Sequence, residues 1–209
     1  MRRPIAVAAA AALWLGLAGL ATAGVPTDQV RGAIDRILQT VQDQSLQGPA
    51  KADERRQRIR DVADQVFDWQ ETAKRALARH WQARSAQERS EFAKLFADLV
   101  ERSYVGKIEA YSGEKIEYLG DSIDGDTATV RTKLVTRANT EIPIEYRLLK
   151  EGDRWRVYDV VIENVSLVGN YRSQFNRIIQ QSGYPALVQK LRTKQEELVS
   201  VNGSPAPKP

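Results

Sequence analysis

One stretch of the chain, residues 154–180, constrains the fold most because its hydrophobic period changes along its length. The first half, Trp155–Ile162, carries aromatic and β-branched residues on both alternating faces, which predicts a central strand covered on both sides. From Leu167 onward, apolar residues recur at i, i+3 and i+4, as in an amphipathic helix. The stretch therefore predicts a buried strand followed by a helix that packs beside the sheet.

Strict alternation along this strand predicts which side chains share a face. We expect Trp155, Val157 and Val161 on one face, and Tyr158, Val160 and Ile162 on the other. Asp159 lies among these apolar positions, and an unpaired buried carboxylate is costly. We therefore expect Asp159 to hold a backbone turn or to pair with an arginine.

The N-terminal residues have the pattern of an export signal. Arg2 and Arg3 precede an apolar run, Ile5–Leu20, that is short for a bilayer span, and Ala23 closes a small-x-small cleavage motif. We expect residues 1–23 to be a signal peptide that is cleaved before Gly24. A retained transmembrane anchor is the alternative.

The composition excludes several kinds of chemistry. The chain has 0 cysteines, which excludes disulfides, a lipoprotein anchor and thiolate catalysis. Its formal charge is +4, and loss of Arg2 and Arg3 with the leader leaves 4 − 2 = +2, which is too balanced to favour nucleic acid as a partner. The remaining 209 − 23 = 186 residues suit a single domain.

The chain before residue 113 has helical periodicity. The predicted helices run from Pro26 to the break at Gly48, over Lys51–Val66, from Asp68 to Ala78, and from a capping box at Ser85 and Glu88 to Tyr111. The last of these carries the widest apolar stripe, so we expect it to lie along the core.

Between residues 114 and 163 the hydrophobic period becomes two. Four strands are predicted, with tight-turn signals between them: Glu114–Ile123, Thr127–Ala138, Glu141–Lys150 and Arg154–Glu163. Links this short require an antiparallel meander. Pro143 has no N–H to donate, so we expect the third strand to be unpaired or bulged there.

Two more helices are predicted at the end of the chain. One runs from Leu167 to Gln181 and ends near Gly183, and the other begins at Pro185. The composition of residues 200–209 predicts a disordered tail. The expected fold class is therefore α+β, with one domain over 24–199: helical parts at 26–112 and 167–199, and a four-stranded sheet over 114–163.

The sequence lacks the common catalytic motifs. His80 is the single histidine, no serine lies in a G-x-S-x-G elbow, and there is no P-loop, G-x-G-x-x-G or H-E-x-x-H motif. The run of Asp121, Asp124 and Asp126 does not have the spacing of a calcium loop. We predict no catalytic residue, no metal site and no cofactor.

Two alternatives to a binding protein stay open at this point. One is a small cone-shaped isomerase or hydrolase with Asp159 as a buried base beside Tyr158 or Tyr146. The other is an adaptor whose core is filled and which holds no ligand. The wide apolar stripes of two helices and the sheet are compatible with a filled core or with an apolar cavity.

Four segments of the chain, in this order, resemble the MlaC family of periplasmic lipid carriers, which includes toluene-tolerance auxiliary proteins of the Ttg2D type. They are FDWQETAKRALARHW (Phe67–Trp81), SAQERSEFAKLFADLVERSYVGKIEAY (Ser85–Tyr111), RWRVYDVVIENVSLVGNYRSQF (Arg154–Phe175) and GYPALVQKLRTK (Gly183–Lys194). Together they cover most of the chain after the leader.

The resemblance implies a fold that joins a helical lobe to a nuclear-transport-factor-like or cystatin-like sheet. It implies a soluble, monomeric shuttle that carries phospholipid across the periplasm. Its partners would be an outer-membrane lipoprotein–porin complex and an inner-membrane ABC transporter with an MCE-domain ring. The acyl chains would enter a deep apolar pocket, and the headgroup would stay largely in water.

Inward periodicity at the matched segments predicts the residues that line this pocket. They are Phe67, Phe96, Leu99, Tyr104, Ile108, Tyr111, Ile144, Tyr146, Leu148, Val160, Ile162, Val165, Leu167, Tyr171 and Phe175. Arg79, His80 and Arg84 are candidates for docking the membrane complexes.

Overall fold

The computed structural model describes the backbone of residues 24–202 and the side chains as far as residue 193. The predicted signal peptide, 1–23, lies outside the described residues, as do residues 203–209 of the predicted tail. Residues 200–202 of that tail belong to the last helix, which is therefore longer than expected.

Five α-helices occur in the described part of the chain. They are α1 (Val25–Gln42), α2 (Ala52–Val66), α3 (Trp69–Leu77), α4 (Ala86–Glu109) and α5 (Leu167–Asn202). The predicted capping box at the start of α4 is confirmed: Ser85 Oγ accepts the Glu88 amide hydrogen at 3.2 Å, and Glu88 Oε2 accepts the Ser85 amide hydrogen at 2.7 Å. Gly183 has a φ of 81° and breaks α5 into two helical parts, as its position before Pro185 predicts.

A five-stranded antiparallel sheet has the strand order β1-β2-β3-β4-β5. Its strands are β1 (Lys115–Asp124), β2 (Thr127–Val135), β3 (Glu141–Glu151), β4 (Arg154–Ile162) and β5 (Val165–Ser166). The predicted α+β class and the meander of four strands are confirmed. The fifth strand has two residues and was not predicted; the chain reverses into it through Glu163 and Asn164, both at positive φ.

The predicted irregularity at Pro143 is wrong, because this residue pairs in register with Lys133 of β2. Its carbonyl accepts a hydrogen bond from the amide of Glu163, just beyond the end of β4. The N–H and C=O of one residue point to the same side of an antiparallel strand. The missing N–H of Pro143 therefore faces the side where β4 has already ended, and the pairing with β2 is not affected.

The bulges of the sheet lie at Leu119 in β1 and at Tyr158 in β4. The extra residue in β4 shifts the alternation by one, which corrects the predicted faces of this strand. Three cross-strand pairs then share one face: Leu148 with Val157, Tyr146 with Val160, and Ile144 with Ile162. Val161 opposes Glu145 on the other face, so the prediction that Val157 and Val161 share a face is wrong. We call the face with Ile144, Tyr146 and Leu148 the inner face, and the opposite one the outer face.

The apolar core is divided into three clusters. The helical cluster lies between α3, α4 and α5 and contains Phe92, Phe96, Phe175 and Leu187. The sheet cluster joins the inner face to α1 and is formed by Val30, Ala128, Val130, Leu148, Trp155 and Val157. The third cluster is formed by Val41 of α1, Ile59 of α2 and Val105 of α4. The buried apolar residues of the described chain therefore form three separate clusters.

None of the helices within residues 24–202 combines the length and the apolar character that a membrane span requires.

Candidate functional site

The two faces of the sheet differ in chemistry. The outer face carries ion pairs: Lys133 Nζ lies 3.1 Å from Glu117 and 2.8 Å from Glu141, and Arg131 lies 3.6 Å from Glu145. The inner face is mostly apolar and packs against α1 through Val30. An apolar ligand would therefore find its surface on the inner face.

Several large apolar side chains on the inner side are only partly buried although they pack against the sheet cluster. They are Ile34, Val66, Phe67, Tyr146 and Val160. Side chains of this size are usually fully enclosed in a close-packed core. Their partial exposure indicates that the space between the sheet and the helices is not completely filled by the protein itself.

Val66, one of these residues, borders a cavity of about 540 Å³ that opens between α1, the end of α2 and the β3–β4 hairpin. Its floor is formed by Val30, Val66, Leu148 and Trp155, which belong to the sheet cluster or pack against it. Its rim is polar, with Asp28, Gln29, Arg36, Gln65, Arg154 and Arg156. An apolar floor below a polar rim is the usual arrangement of a site for an amphipathic small molecule.

The three clusters adjoin one another around this space. Ile34 packs against the sheet cluster and Ile37, one helical turn further along α1, packs against the third cluster. Phe67 stacks on Trp69, with ring centroids 4.7 Å apart, and Trp69 packs against the helical cluster. Apolar side chains therefore follow α1 from Val30 at the cavity through Ile34 to Ile37, which packs against the same cluster as Ile108 and Tyr111. We call this row of side chains the apolar path.

The predicted lining residues fall into four groups. Phe67, Tyr146, Leu148 and Val160 belong to the sheet cluster, and Ile144 and Ile162 pair with each other on the inner face. Ile108 and Tyr111 pack in the third cluster. Phe96, Leu99, Tyr104, Leu167, Tyr171 and Phe175 lie in or against the helical cluster, and Val165 is exposed on β5.

The helical cluster is filled by its own aromatic rings. Phe96 is fully buried and lies edge-on to Tyr171 and Phe175, with ring centroids 5.1 and 5.2 Å apart. Phe92 adds a further edge-on contact to Phe175 at 5.6 Å. These rings contact one another, and of the predicted lining residues only Leu148 borders the cavity.

Residues from α1 and from the start of β4 also form the site, although they were not predicted. The stripe that contains Val30 and Ile34 is visible in the sequence as a helical period. No local signal indicates that this stripe would lie over Leu148 and Trp155, because that contact joins segments more than a hundred residues apart. The rim arginines had no signal beyond their charge.

Asp159 is buried, with 3% of its surface exposed, and all of its observed partners are donors. Ser166 Oγ donates to Oδ2 at 2.7 Å, the Val168 amide donates to Oδ1 at 3.0 Å, and Arg147 Nη1 donates to Oδ2 at 3.3 Å. The expectation of a turn or an arginine partner is confirmed by both kinds of contact. Asp159 pairs with Arg147 and so faces away from Tyr146, which contradicts the arrangement that an Asp159–Tyr146 catalytic pair requires.

Burial raises the pKa of Tyr146 and of Tyr118 to about 12. Tyr118 pairs with Thr132, which pairs in turn with Ile144, so both phenols belong to the inner side of the sheet. Arg31 of α1 lies 4.4 Å from the centre of the Tyr118 ring. Both tyrosines are therefore neutral at physiological pH and suit an apolar lining.

The candidate docking residues contact the helical cluster. Arg79 Nη2 donates to Asn176 Oδ1 at 2.8 Å, and His80 Nε2 lies 3.0 Å from the same oxygen. Arg84 lies over the ring of Tyr184 at 4.5 Å and pairs with Glu88 at 3.3 Å. These contacts tie the end of α3 and the start of α4 to α5.

Among the side chains that the structure describes, no group of His, Cys, Asp or Glu is arranged to hold a metal ion.

The fold is of the α+β class, and its antiparallel sheet, α1 and the end of α2 border a cavity with an apolar floor and a polar rim. The family model of the MlaC protein matches residues 31–193, and the chain belongs to this family.

Two comparisons give the range of the similarity. The chain is 25% identical over 133 residues to the intermembrane phospholipid transport system binding protein MlaC of Haemophilus influenzae, an alignment that covers 61% of this chain and 62% of that relative. Its fold is similar to that of a phospholipid-binding protein from Ralstonia solanacearum solved in complex with a phospholipid. The TM-score is 0.72 at 23% identity, over 84% of this chain and 99% of the other.

Proposed function

We propose that this protein binds a phospholipid between the inner face of the sheet and α1, and carries it through the periplasm between the two membranes. The observation that carries the proposal is the cavity of about 540 Å³ whose floor continues into half-buried apolar side chains. The volume lies within the range of about 300–1,000 Å³ that is usual for small-molecule sites.

The acyl chains are held by burial of apolar surface. Each buried methylene contributes about 0.8 kcal/mol, so ten of them favour binding by about 8 kcal/mol before the costs of association. No specific polar contact is needed for such a ligand. An apolar path with a polar rim therefore suits a molecule with long chains and a hydrated headgroup.

Within the predicted lining, we assign the direct contacts to the inner face and to the third cluster. These residues are Phe67, Ile108, Tyr111, Ile144, Tyr146, Leu148, Val160 and Ile162. The helical-cluster residues, such as Phe96 and Phe175, pack α4 against α5 and do not contact the lipid in this proposal. The two acyl chains would extend from the cavity along Ile34 and Ile37 into the space between the clusters.

The names of the relatives support the same function. The Haemophilus influenzae protein is a binding protein of an intermembrane phospholipid transport system, and the Ralstonia solanacearum protein was solved with a phospholipid. We propose that this chain is exported by means of a cleaved signal peptide at 1–23 and acts as a monomer in the periplasm. It would exchange lipid with an outer-membrane lipoprotein–porin complex and with an inner-membrane ABC transporter that has an MCE-domain ring.

We propose a carrier without catalytic activity. Asp159, the candidate base, accepts hydrogen bonds from donors that stabilise the fold, and Tyr146 faces the opposite side of the sheet. The adaptor alternative requires a filled core, which the partly exposed side chains of the inner side do not favour.

A transfer assay tests the proposal. The chain from residue 24 onward, stripped of lipid, is incubated with donor vesicles that contain labelled phospholipid, re-isolated and mixed with acceptor vesicles. We expect a labelled complex of defined stoichiometry and delivery of the label at a rate that increases with protein concentration. A folded protein that acquires no label from an excess of vesicles would overturn the proposal.

A further inference from the structure

The first turn of α1 is held against the edge strand β1 by one carboxylate. Asp121 Oδ2 accepts hydrogen bonds from the amide of the buried Thr27 at 3.0 Å and from its hydroxyl at 2.7 Å. The residue at the N-cap position of α1 is Gly24, which has no side chain to accept such a bond. Asp121 therefore supplies from β1 the cap that α1 lacks in its own sequence.

Gly24 lies directly against this carboxylate. A Cβ built on Gly24 would lie 2.6 Å from each of the two carboxylate oxygens of Asp121, which is closer than real Cβ atoms approach. The φ of Gly24 is −77°, so the close approach, and not the backbone conformation, requires a glycine here. Covalent geometry then places the nitrogen of Gly24 within about 5 Å of both oxygens.

The charge of Asp121 is not compensated by the side chains around it. Within the described residues, its Oδ1 accepts no hydrogen bond and no Lys or Arg forms an ion pair with it. Asp28, in the same turn of α1, is acidic as well. Arg31, one turn further along, lies over the ring of Tyr118 at 4.4 Å. A half-buried carboxylate with a free oxygen is a favourable partner for a cation with N–H donors.

The proposed removal of the leader creates such a cation at this position. Hydrolysis of the Ala23–Gly24 peptide bond consumes one water molecule and leaves a carboxylate on Ala23 and an amine on Gly24. An α-amino group has an ordinary pKa of about 7.7–8.0 and is mostly protonated at neutral pH. A positive charge at the N-terminus of a helix is unfavourable because it meets the positive end of the helix dipole, and a carboxylate beside it offsets this cost.

We infer that Asp121 binds the α-ammonium group of Gly24 in the processed protein, and that this ion pair fixes α1 to β1. The pair exists only after cleavage, because the nitrogen of Gly24 is a neutral amide while the leader is attached. Since α1 forms one wall of the cavity, the pair also holds that wall against the sheet. The inference rests on the proposed function, because it requires cleavage before Gly24.

A double-mutant cycle between the chain start and the carboxylate tests this ion pair. One chain begins at Gly24 and the other at Ala21, so that three leader residues move the ammonium group by up to about 10 Å. Both are made with Asp121 and with Asp121→Asn, and hydrogen exchange of residues 30–42, followed by mass spectrometry without lipid, measures the opening of α1. We expect about fivefold faster exchange in the longer chain, as for a partly buried charged pair.

The cycle separates the ion pair from the cap. Loss of the hydrogen bonds to Thr27 in Asp121→Asn is the same in both chain lengths, so the two lengths of this variant should exchange equally. Equal exchange of the two lengths with Asp121 present would overturn the inference. A fivefold difference that persists in Asp121→Asn would overturn it as well.

Two further variants control for charge and for contact. Asp124→Asn removes an exposed carboxylate from the same strand and should preserve the fivefold difference between the chain lengths. Gly24→Ala should abolish most of it, because the added Cβ displaces the carboxylate of Asp121. A full fivefold difference in Gly24→Ala would contradict the proposed contact.

N-terminal sequencing of the protein secreted by its own host tests the cleavage on which the pair depends. We expect the first residue to be Gly24. A different first residue would overturn the inference and leave lipid binding standing, because binding is measured separately with vesicles. A chain that shows the coupling between Gly24 and Asp121 but acquires no phospholipid would support the ion pair and refute the carrier function.

Discussion

The amide of Val168 donates a hydrogen bond to the Asp159 carboxylate at 3.0 Å, which ties the end of β4 to the first turn of α5. Ser166 Oγ donates to the same carboxylate at 2.7 Å. A negative charge at a helix N-terminus is favourable because it satisfies free amides and complements the helix dipole. This joint connects the sheet, which carries the cavity, to the helical cluster.

Replacing Asp159 should weaken the fold and leave lipid binding intact. Asp159→Asn removes the charge that faces Arg147 and weakens three hydrogen bonds, so we expect a loss of about 2–3 kcal/mol in the free energy of unfolding. Urea denaturation measures the loss, and the transfer assay measures function. Ser166→Ala, which removes one of the bonds, should cost about 1 kcal/mol. A stable but transfer-deficient Asp159→Asn variant would support the enzyme alternative instead.

A charge on the inner face should prevent lipid binding. Ile144→Glu places a carboxylate beside Thr132 and Ile162 on the inner face. An acyl chain bound there would remove water from this carboxylate, which is costly, so the charge opposes lipid binding. We expect the variant to be folded by circular dichroism and to purify without lipid. Leu119→Glu is the control, because Leu119 is 59% exposed at the bulge of β1. Retention of lipid by Ile144→Glu would exclude Ile144 from the site.

The position of α2 depends on ion pairs with α4. Glu109 accepts hydrogen bonds from Arg55 at 2.7 Å and from Arg56 at 3.3 Å, and the side chains of Arg55 and Glu109 are each only 14% exposed. Glu109→Gln leaves Arg55 without its counter-charge, so we expect a loss of about 1.5–3 kcal/mol and faster hydrogen exchange within α2.

The exposed ion pair between Lys51 and Glu54 provides the control. Lys51→Gln should measurably change neither the free energy of unfolding nor the hydrogen exchange of α2. Hydrogen exchange followed by mass spectrometry reports on both variants. Equal exchange of α2 in Glu109→Gln and in the wild type would show that apolar contacts alone hold this helix.

The protein should lose stability in alkaline solution. Burial raises the pKa of Tyr118, Tyr146 and Tyr184 to about 12, above their usual value of about 10. The unfolded chain therefore loses these protons at lower pH than the folded protein, and the stability present below pH 10 decreases between about pH 10 and pH 12.

Tyrosinate absorbance and circular dichroism, followed together through this range, test the alkaline transition. We expect part of the tyrosinate signal to appear only as the chain unfolds, and Tyr146→Phe should reduce the pH dependence. Complete titration of all tyrosines near pH 10 in a folded protein would contradict the assignment.

Local patterns in the sequence predict most of the elements. The Ser85 capping box, the Gly183 break and the tight turns of the sheet are each set by residues close in the chain, so periodicity and turn chemistry are sufficient. The bulge at Tyr158 has no such signal. The extra residue shifts the alternation of side chains along β4 by one, so Val161 lies on the opposite face from Val157 and not on the predicted one.

The candidate site was predicted less completely for a physical reason. Periodicity shows that Phe96 and Leu148 both point inward, but it does not distinguish a ring that other rings enclose from a side chain that borders a cavity. That distinction depends on contacts between distant segments, such as Val30 on the sheet cluster. The rim arginines are recognisable only once α1 and β4 are placed together.

Phospholipid binding is tested most directly by native mass spectrometry of the protein purified from its own host, followed by organic extraction of the bound material. We expect an added mass that corresponds to phospholipid and that disappears in Ile144→Glu. A mass equal to that of the polypeptide alone, unchanged after incubation with phospholipid vesicles, would contradict it and indicate a protein whose core holds no lipid.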